Sequence, residues 1–453
     1  MTLPSLHLLS SLDGRYADSI APLRDHFSEF AFLRDRVRVE LDFVSALAKA
    51  DLIRPLSESE SAQLDSIKAN FSTADAESIR AFERETRHDV KAIEYFLRDK
   101  LKDTSLNNLL SWLHFGLTSE DVNNIAQVIE LRDSRDSVLL PAFDTLLQNI
   151  LNFAKTYRAL PMLARTHGQP AVPTTLGKEF AVYYARLKKM RDEISSHRFE
   201  AKLTGAVGNF NALQAASPQV DWLSFSRKFI QGYDLVPNFA NNQILPYDNW
   251  LRYFDALRMA NSILIDFSQD IWRYISDGYL KQAVVAGEVG SSTMPQKVNP
   301  IDFENAEGNL GVANSMFVHY SQKLPVSRLQ RDLSDSTVRR TFGSAVGHTL
   351  LAWNNLVRGL KRVAADEDKI FGELESHWEV ISEGAQTILR AVGKSDAYES
   401  LKEQTRGRVL TEADYKTWVE SLSVDESTRV KLHSLSPFTY LGLAVELTDL
   451  ITS

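Results

Sequence analysis

Apolar residues recur at the three- and four-residue steps of a helix through most of the chain. Beyond Pro22 no glycine or proline interrupts the sequence before Leu52, and Phe27, Phe30, Phe32, Val37, Val39, Leu41, Phe43, Val44 and Leu47 predict one or two helices. Ser57 to Asn70 predicts a short helix, and an amphipathic one follows the polar cluster of Thr86, His88, Asp89 and Lys91. Thr118 with Asp121 has the spacing of a capping arrangement. The helix it opens is expected to run through Leu139, with Pro141 kinking it rather than ending it. Thr174 to Leu203 predicts a long helix, and Asp248 to Lys281 another. In the second, Tyr253, Leu257, Ala260, Leu264, Phe267, Ile271 and Tyr274 alternate steps of four and three, a coiled-coil-like stripe. Roughly 34 residues at about 1.5 Å each make a rod of roughly 50 Å. Such a rod belongs in an extended bundle, and its stripe favours a homo-oligomer. Ile301 to Lys323 is helical, and helix resumes after Arg340 to about Asp366. Several shorter patterns fill Phe371 to Ser453, which read as a small separate domain. No strand-like alternation is sustained, so the expected class is all-α.

The breaks in this pattern hold the candidate chemistry, because loops on a helical scaffold are where function concentrates. In Gly290-Ser291-Ser292-Thr293-Met294-Pro295-Gln296-Lys297-Val298-Asn299-Pro300 the glycine permits a turn and the prolines stop a helix. Backbone N–H groups of such a loop are free to face an anion. Thr166-His167-Gly168-Gln169-Pro170 puts a histidine at a turn that Gly168 allows, flanked by two side chains able to fix its ring. A lone histidine is more often structural than catalytic. Gly205 to Asn211 is a Gly/Asn turn, and Asp13-Gly14 places Arg15 and Tyr16 after another. Arg328, Arg331, Arg339 and Arg340, among Ser327, Ser334, Ser336 and Thr337, have the composition of a phosphate subsite or of a solvated helix start.

Composition narrows the function. The chain has 453 residues, 44% apolar and 24% charged, the balance of a soluble globular protein with more than one small core. A net charge of −8 argues against nucleic acid or an anionic membrane as partner, but leaves room for a phosphorylated small molecule held by a local basic group. Without cysteine there is no disulfide, thiolate metal site or cysteine nucleophile, which fits a cytoplasmic protein. Met1 to Ser11 lacks a basic n-region and a sustained apolar core, so no signal peptide is expected. No apolar run reaches about 18 residues, the length needed to span a membrane. No P-loop, H-E-x-x-H, G-x-S-x-G or dinucleotide fingerprint occurs.

Gly290 to Asn299 fills every fixed position of G-S-S-x-M-P-x-K-x-N and resembles the signature loop of the fumarase/aspartase superfamily. Ser11 to Tyr16, Thr86 to Leu97, His114 to Asn124, Arg165 to Pro170 and Gly205 to Asn211 are together similar to the adenylosuccinate lyase family, in its bacterial branch. The similarity extends through Leu324 to Arg328, Asp335 to Val338 and Leu401 to Glu403.

The resemblance implies an all-α, three-domain fold with a long central helical bundle, divided here as 1–115, 116–365 and 366–453. It also implies a cytoplasmic homotetramer whose active sites each draw on three subunits. The reaction it implies is β-elimination of fumarate from adenylosuccinate, giving AMP, and from SAICAR, giving AICAR, with no metal or organic cofactor. By the same resemblance Ser291 is the base, with Ser292 the adjacent alternative. His167 is the acid, Glu304 holds its imidazole, and Lys297 and Asn299 stabilise the intermediate. Arg15, Tyr16, Arg87, His88, Asp89, Thr118, Ser119, Thr166, Gln243, Ser292, Met294, Arg331, Ser336 and Arg340 match substrate-binding positions. Four residues depart from the pattern. Gln296 stands where adenylosuccinate lyases usually have histidine and argininosuccinate lyases have glutamine. Tyr247 also replaces an expected histidine, and Arg87 and Arg339 differ from close relatives. The competing readings are argininosuccinate lyase, another fumarate-forming lyase, or a non-catalytic protein on this scaffold.

Overall fold

A computed structural model describes residues 7–283, 294, 297–394, 399 and 410–453. The chain is mostly helical, as expected. Its contacts divide it into two compact units, residues 1–142, 191–262 and 309–351 in the first and 143–190, 263–308 and 352–453 in the second.

After short helical turns at Ala21–Leu23 and Arg24–Phe27, the first unit continues with α1 (Glu29–Lys49), α2 (Glu58–Ala69), α3 (Thr73–Thr86) and α4 (Asp89–Leu101). Each starts where a side chain relieves unpaired backbone N–H groups: Ser28, Ser57, Ser72 and His88 accept from the first turn. Helix α5 (Ser119–Ser134) follows Thr118. It passes through a π-helical turn, Arg135–Leu139, into α6 (Leu140–Thr156). Pro141 therefore does not end the helix. The chain widens one turn before it, where the Leu140 N–H reaches the Arg135 carbonyl.

The expected all-α class stands, with three short two-stranded pairs among the described residues that the sequence pattern did not reveal. In the second unit β1 (Pro161–Thr166) and β2 (Gln169–Thr175) form a hairpin. Its two-residue turn, His167-Gly168, has φ of 53° and 75°, which is the form that matches strand twist. Prolines in both strands and their short length hid the alternation.

Helix α7 (Leu176–Ser196) is consequently shorter at both ends than the predicted Thr174 to Leu203. In the first unit β3 (Glu200–Ala201) precedes α8 (Asn211–Ala216) and α9 (Trp222–Gln231), and it pairs with β4 (Val236–Pro237). Helix α10 (Asp248–Ser276) stops before the expected Lys281 at Gly278, whose φ is +81°. Then β5 (Leu280–Gln282) appears and α11 (Ile301–Lys323) keeps its predicted limits. Beyond it come α12 (Ser334–Arg339) and α13 (Phe342–Leu360). The helix predicted to reach Asp366 gives way to β6 (Val363–Ala365), which pairs with β5. Short helices α14 (Glu367–Glu375), α15 (Ser382–Ala391), α16 (Glu412–Ser421), α17 (Glu426–His433) and α18 (Ala444–Thr452) fill the tail.

The stripe on α10 is spent inside the chain. Tyr253, Leu257, Ala260, Leu264, Phe267 and Ile271 are buried, Tyr253 against Phe199 in the first unit and Phe267 against Phe180 in the second. It therefore does not supply the association surface it suggested. Exposed apolar residues lie on other faces, Met259 and Trp272 of α10 and Ile301, Val312 and Val318 of α11.

Gly177 sets the closest approach in the second unit. A Cβ there would lie 2.4 Å from the Ala154 carbonyl oxygen and 2.4 Å from the Arg158 Cα, both backbone atoms. Gly177→Ala is expected to destabilise the protein by about 2–3 kcal/mol. Gly372→Ala, in an exposed helix with open space, should be neutral or stabilising by about 0.5–1 kcal/mol. Urea denaturation of both variants checks this, and equal stabilities would refute the close-packing argument.

Candidate active site

In the first unit the loops are tied to one buried carboxylate. Asp121 is fully buried and accepts the N–H groups of Thr118 (2.9 Å), Thr204 (3.0 Å) and Gly205 (3.1 Å). The Lys202 ammonium, also fully buried, lies 3.0 Å from it and donates to the Gly205 carbonyl at 3.1 Å. Asn124 clamps the Lys202 backbone, accepting its N–H at 2.8 Å and donating to its carbonyl at 2.9 Å. The half-buried Thr118 and Ser119 thus sit at a helix start whose position is set by a buried ion pair. The Thr118–Asp121 cap was readable from spacing. Lys202 was missed, because lysine ordinarily reads as surface.

The approach to Thr118 is held by His114, whose ring nitrogen Nδ1 lies 2.6 Å from Glu40 Oε1, while its N–H donates to the same carboxylate at 3.1 Å. Burial lowers the His114 pKa, but the Glu40 charge and hydrogen bond outweigh it and raise it above the ordinary histidine value.

His88 caps α4, its Nδ1 accepting the Lys91 N–H at 3.2 Å, and Arg87 before it takes a left-handed φ of 53°. Both side chains are exposed. Asp89 accepts from Arg36 at 2.7 Å, and Arg36 also donates to Asn123 of α5 at 2.8 Å. Burial pushes the Asp89 carboxyl up, and Arg36 together with the Val90 N–H more than offsets this, holding it below its usual value. Arg36 was not singled out from the sequence, since it sits in a helix rich in charged residues.

Gln243 and Arg331, eighty-eight positions apart, are brought together, with Arg331 Nη1 donating to Gln243 Oε1 at 3.1 Å. Gln243 also donates to the Ala206 carbonyl at 2.9 Å, which ties it to the Gly/Asn turn. A cavity of about 440 Å³ is lined by Gln243, Leu329, Gln330, Arg331, Asp332 and Leu333. Behind Arg331 lies the fully buried Glu120, 3.5 Å from Arg331 Nη2 and 2.8 Å from Arg339 Nη1. Ser336 is in the first turn of α12, and the exposed Arg340 lies 3.9 Å from Glu29. Arg339 is not a solvated charge: it is buried against Glu120, Asp335 and Gln127. Burial pulls its pKa down, but Glu120 and Asp335 outweigh that, so the guanidinium stays charged. Arg15 is exposed, with its guanidinium 5.9 Å from the Tyr16 ring centre.

In the second unit, Thr166 and His167 are exposed at the tip of the β1–β2 hairpin. Thr166 pairs with Gln169 across the turn, and neither hydrogen-bonds the imidazole among the described residues. Met294 and Lys297 are exposed and Asn299 is half-buried, and the Lys297 N–H donates to the Met294 carbonyl at 3.0 Å. Glu304 accepts from the Trp272 indole at 3.0 Å. Ser291, Ser292 and Gln296 lie outside the described residues. No group of acidic or histidine side chains able to hold a metal ion occurs among the described residues. No described helix is long and apolar enough to cross a membrane.

Residues 14–315 match the family described as lyase, and residues 327–441 the one described as adenylosuccinate lyase C-terminal. The chain is 44% identical to an adenylosuccinate lyase of Haemophilus influenzae, over 99% of each chain. It is 42% identical to one of Escherichia coli over 99% of each, and 43% to one of Dictyostelium discoideum over 97% of each. Among solved structures it resembles a fumarate lyase from Mesorhizobium, with TM-score 0.76 and 17% identity over 95% of this chain and 97% of the other. It also resembles a 3-carboxy-cis,cis-muconate lactonizing enzyme from Pseudomonas putida, with TM-score 0.77 and 17% identity over 95% and 96%. At that identity the two structures speak for the fold.

The His114–Glu40 pair makes a stability prediction. Because the folded pKa is raised, its contribution is complete below the unfolded value of about 6.5. It is lost as pH rises through the higher folded value. His114→Gln should therefore be less stable than wild type by about 1 kcal/mol at pH 5.5, with the gap narrowing at pH 9. Chemical denaturation at the two pH values checks it, and a gap that does not change with pH would remove the charge from the argument.

Proposed function

The chain belongs to the adenylosuccinate lyase family, and from that premise we propose that it splits adenylosuccinate into AMP and fumarate and, at the same site, SAICAR into AICAR and fumarate. It is a C–N lyase. What carries the reading is the reach of the match: residues 14–315 and 327–441 together take in every candidate site residue.

The elimination needs a base, an anion-stabilising environment and an acid. Ser291 removes the proton on the carbon next to a carboxylate, and Ser292 is the adjacent candidate. The electron pair left on that carbon is delocalised into the carboxylate, and Lys297, Asn299 and loop N–H groups stabilise the added charge. The pair then forms the C=C bond of fumarate as the C–N bond breaks, and His167 protonates the departing nitrogen. Position favours His167 for this role, since an exposed imidazole at a hairpin tip is accessible to substrate. Arg331 and Gln243, converging on one cavity, bind anionic and polar parts of the nucleotide together with Arg15, Tyr16, Ser336 and Arg340. Arg87, His88, Asp89, Thr118, Ser119, Thr166 and Met294 complete the binding set.

We propose further that the protein is a cytoplasmic homotetramer with active sites shared between subunits. Within one chain Glu304 serves the Trp272 indole, so its pairing with an imidazole is proposed as a contact between subunits. The exposed Ile301, Val312 and Val318 of α11 support association through that helix. The division into segments 1–115, 116–365 and 366–453 is retained as a proposal for the domain organisation.

Loss of adenylosuccinate absorbance on adding purified protein in EDTA tests the reaction, with argininosuccinate as control. Cleavage of argininosuccinate alone would overturn the assignment. Ser291→Ala and His167→Ala should each lower kcat by roughly 10²–10⁴-fold while the protein stays folded; near-normal turnover in either would sink that residue's role. Light scattering should give four times the 51.1 kDa chain mass, and a monomer would end the shared-site proposal.

A further inference from the structure

Tyr247 and Arg339 meet in the interior of the first unit. The Arg339 guanidinium carbon lies 5.6 Å from the centre of the Tyr247 ring. Asp335 joins them, accepting from the Tyr247 hydroxyl at 2.7 Å and lying 3.1 Å from Arg339 Nη2. Arg339 also grips Glu120, donating from Nη2 at 3.0 Å with Nη1 2.8 Å away. Glu120 and Asp335 are two anions, and Arg339 and Arg331 two cations, so the cluster is neutral only with both arginines. Glu120 shares itself unequally. Arg339 is at hydrogen-bond range, whereas Arg331 stands off at 3.5 Å and spends Nη1 on Gln243. The side chains of Arg339, Glu120 and Asp335 are at most 4% exposed, while that of Arg331 is 18% exposed. The only cation of the four with a path to solvent is therefore the one beside the cavity.

We propose that Arg339, held by Tyr247 through Asp335, is a positioning residue for substrate binding: it neutralises Glu120 from behind and so leaves Arg331 available to an anionic group of the substrate. Removing Arg339 leaves Glu120 a buried anion with Arg331 the one remaining guanidinium in reach. An uncompensated buried charge is costly, so Arg331 is drawn inward to it and away from the cavity. The effect acts through Arg331 and reaches binding rather than the chemical step. This inference rests on the reading of Arg331 as a substrate-binding residue of the lyase reaction.

The test is steady-state kinetics on adenylosuccinate with the full-length protein. Arg331→Ala comes first, and it should raise KM at least tenfold. Arg339→Met should also raise KM about tenfold with kcat within twofold of wild type, and Arg339→Lys should recover most of the loss. Glu120→Gln in the Arg339→Met background removes the anion that captures Arg331, and should bring KM back to within threefold of wild type. A purely structural role would instead lower kcat through loss of active protein, and the second substitution would not repair it. If Arg339→Met does not fold, Tyr247→Phe decides. Asp335, deprived of its phenol donor, draws Arg339 away from Glu120, and KM should rise about threefold at unchanged kcat. An unchanged KM in a folded Arg339→Met or Tyr247→Phe protein overturns the inference while leaving the reaction standing. An unchanged KM in Arg331→Ala overturns both the role of Arg331 and the inference. No cleavage of adenylosuccinate by wild type overturns the functional reading and the inference together.

Discussion

The buried pair of Asp121 and Lys202 is the contact on which the loops at Thr118 and Gly205 in the first unit depend. One carboxylate serves an ammonium and three backbone N–H groups drawn from two separate stretches of chain. Neither side chain has any exposure, so each charge is tolerable only because the other is there. From this point a closed circuit can be traced. Asp121 holds Gly205; the next residue, Ala206, accepts from Gln243; Gln243 accepts from Arg331; and Arg331 faces Glu120, the neighbour of Asp121 in sequence. The helix start at Thr118, the Gly/Asn turn and the arginine segment are thus positioned against one another by polar contacts, at a place where apolar packing alone would leave their register loose.

That arrangement explains why the segment between Pro325 and Arg340 divides so sharply by residue. Four arginines look alike in the sequence, yet they face different surroundings. Arg328 is exposed beside Asp332, Arg340 is exposed near Glu29, Arg331 is half-buried at a cavity, and Arg339 is interior. The six-residue helix α12 begins after Arg331 and ends on Arg339, its buried face carrying Asp335 and Arg339 four positions apart. A phosphate subsite made from all four, one of two readings of the sequence, therefore loses Arg339, the one of them closed to solvent.

Much of the fold was legible because long amphipathic helices leave a strong periodic signal, and α1, α2, α4, α10 and α11 fall close to where spacing put them. The misses share a physical cause. Thr174-Thr175, Glu200-Ala201, Leu280 to Gln282 and Val363 to Ala365 look like helix ends by composition, but pair as strands through partners distant in sequence or across a tight turn. Periodicity cannot see a partner. The α10 stripe was legible as a stripe but not for what covers it: its heptad-like spacing describes a buried face equally well inside one chain and between chains. The site divides along the same line. Local features such as the Thr118–Asp121 cap and the His167-Gly168 turn could be read from neighbouring residues. Lys202, Glu120 and Arg36 could not, since a buried ion is recognised only by the opposite charge brought to it by the fold.

Tyr247 and Arg339 make sense as a pair on the same grounds. An arginine at position 339 adds a full positive charge to a site closed to water, and Glu120 and Asp335 between them offer two negative charges that Arg331 must also share. A histidine at position 247 would place a second titratable cation against Asp335, so the balance of the cluster would shift as that ring took up a proton. A tyrosine avoids this. Burial pushes its phenol well above the ordinary range, so it stays neutral and serves only as a donor to Asp335. With the phenol occupying one side of Asp335, Arg339 is steered towards Glu120. A neutral donor at 247 therefore suits a guanidinium at 339, since both meet at Asp335.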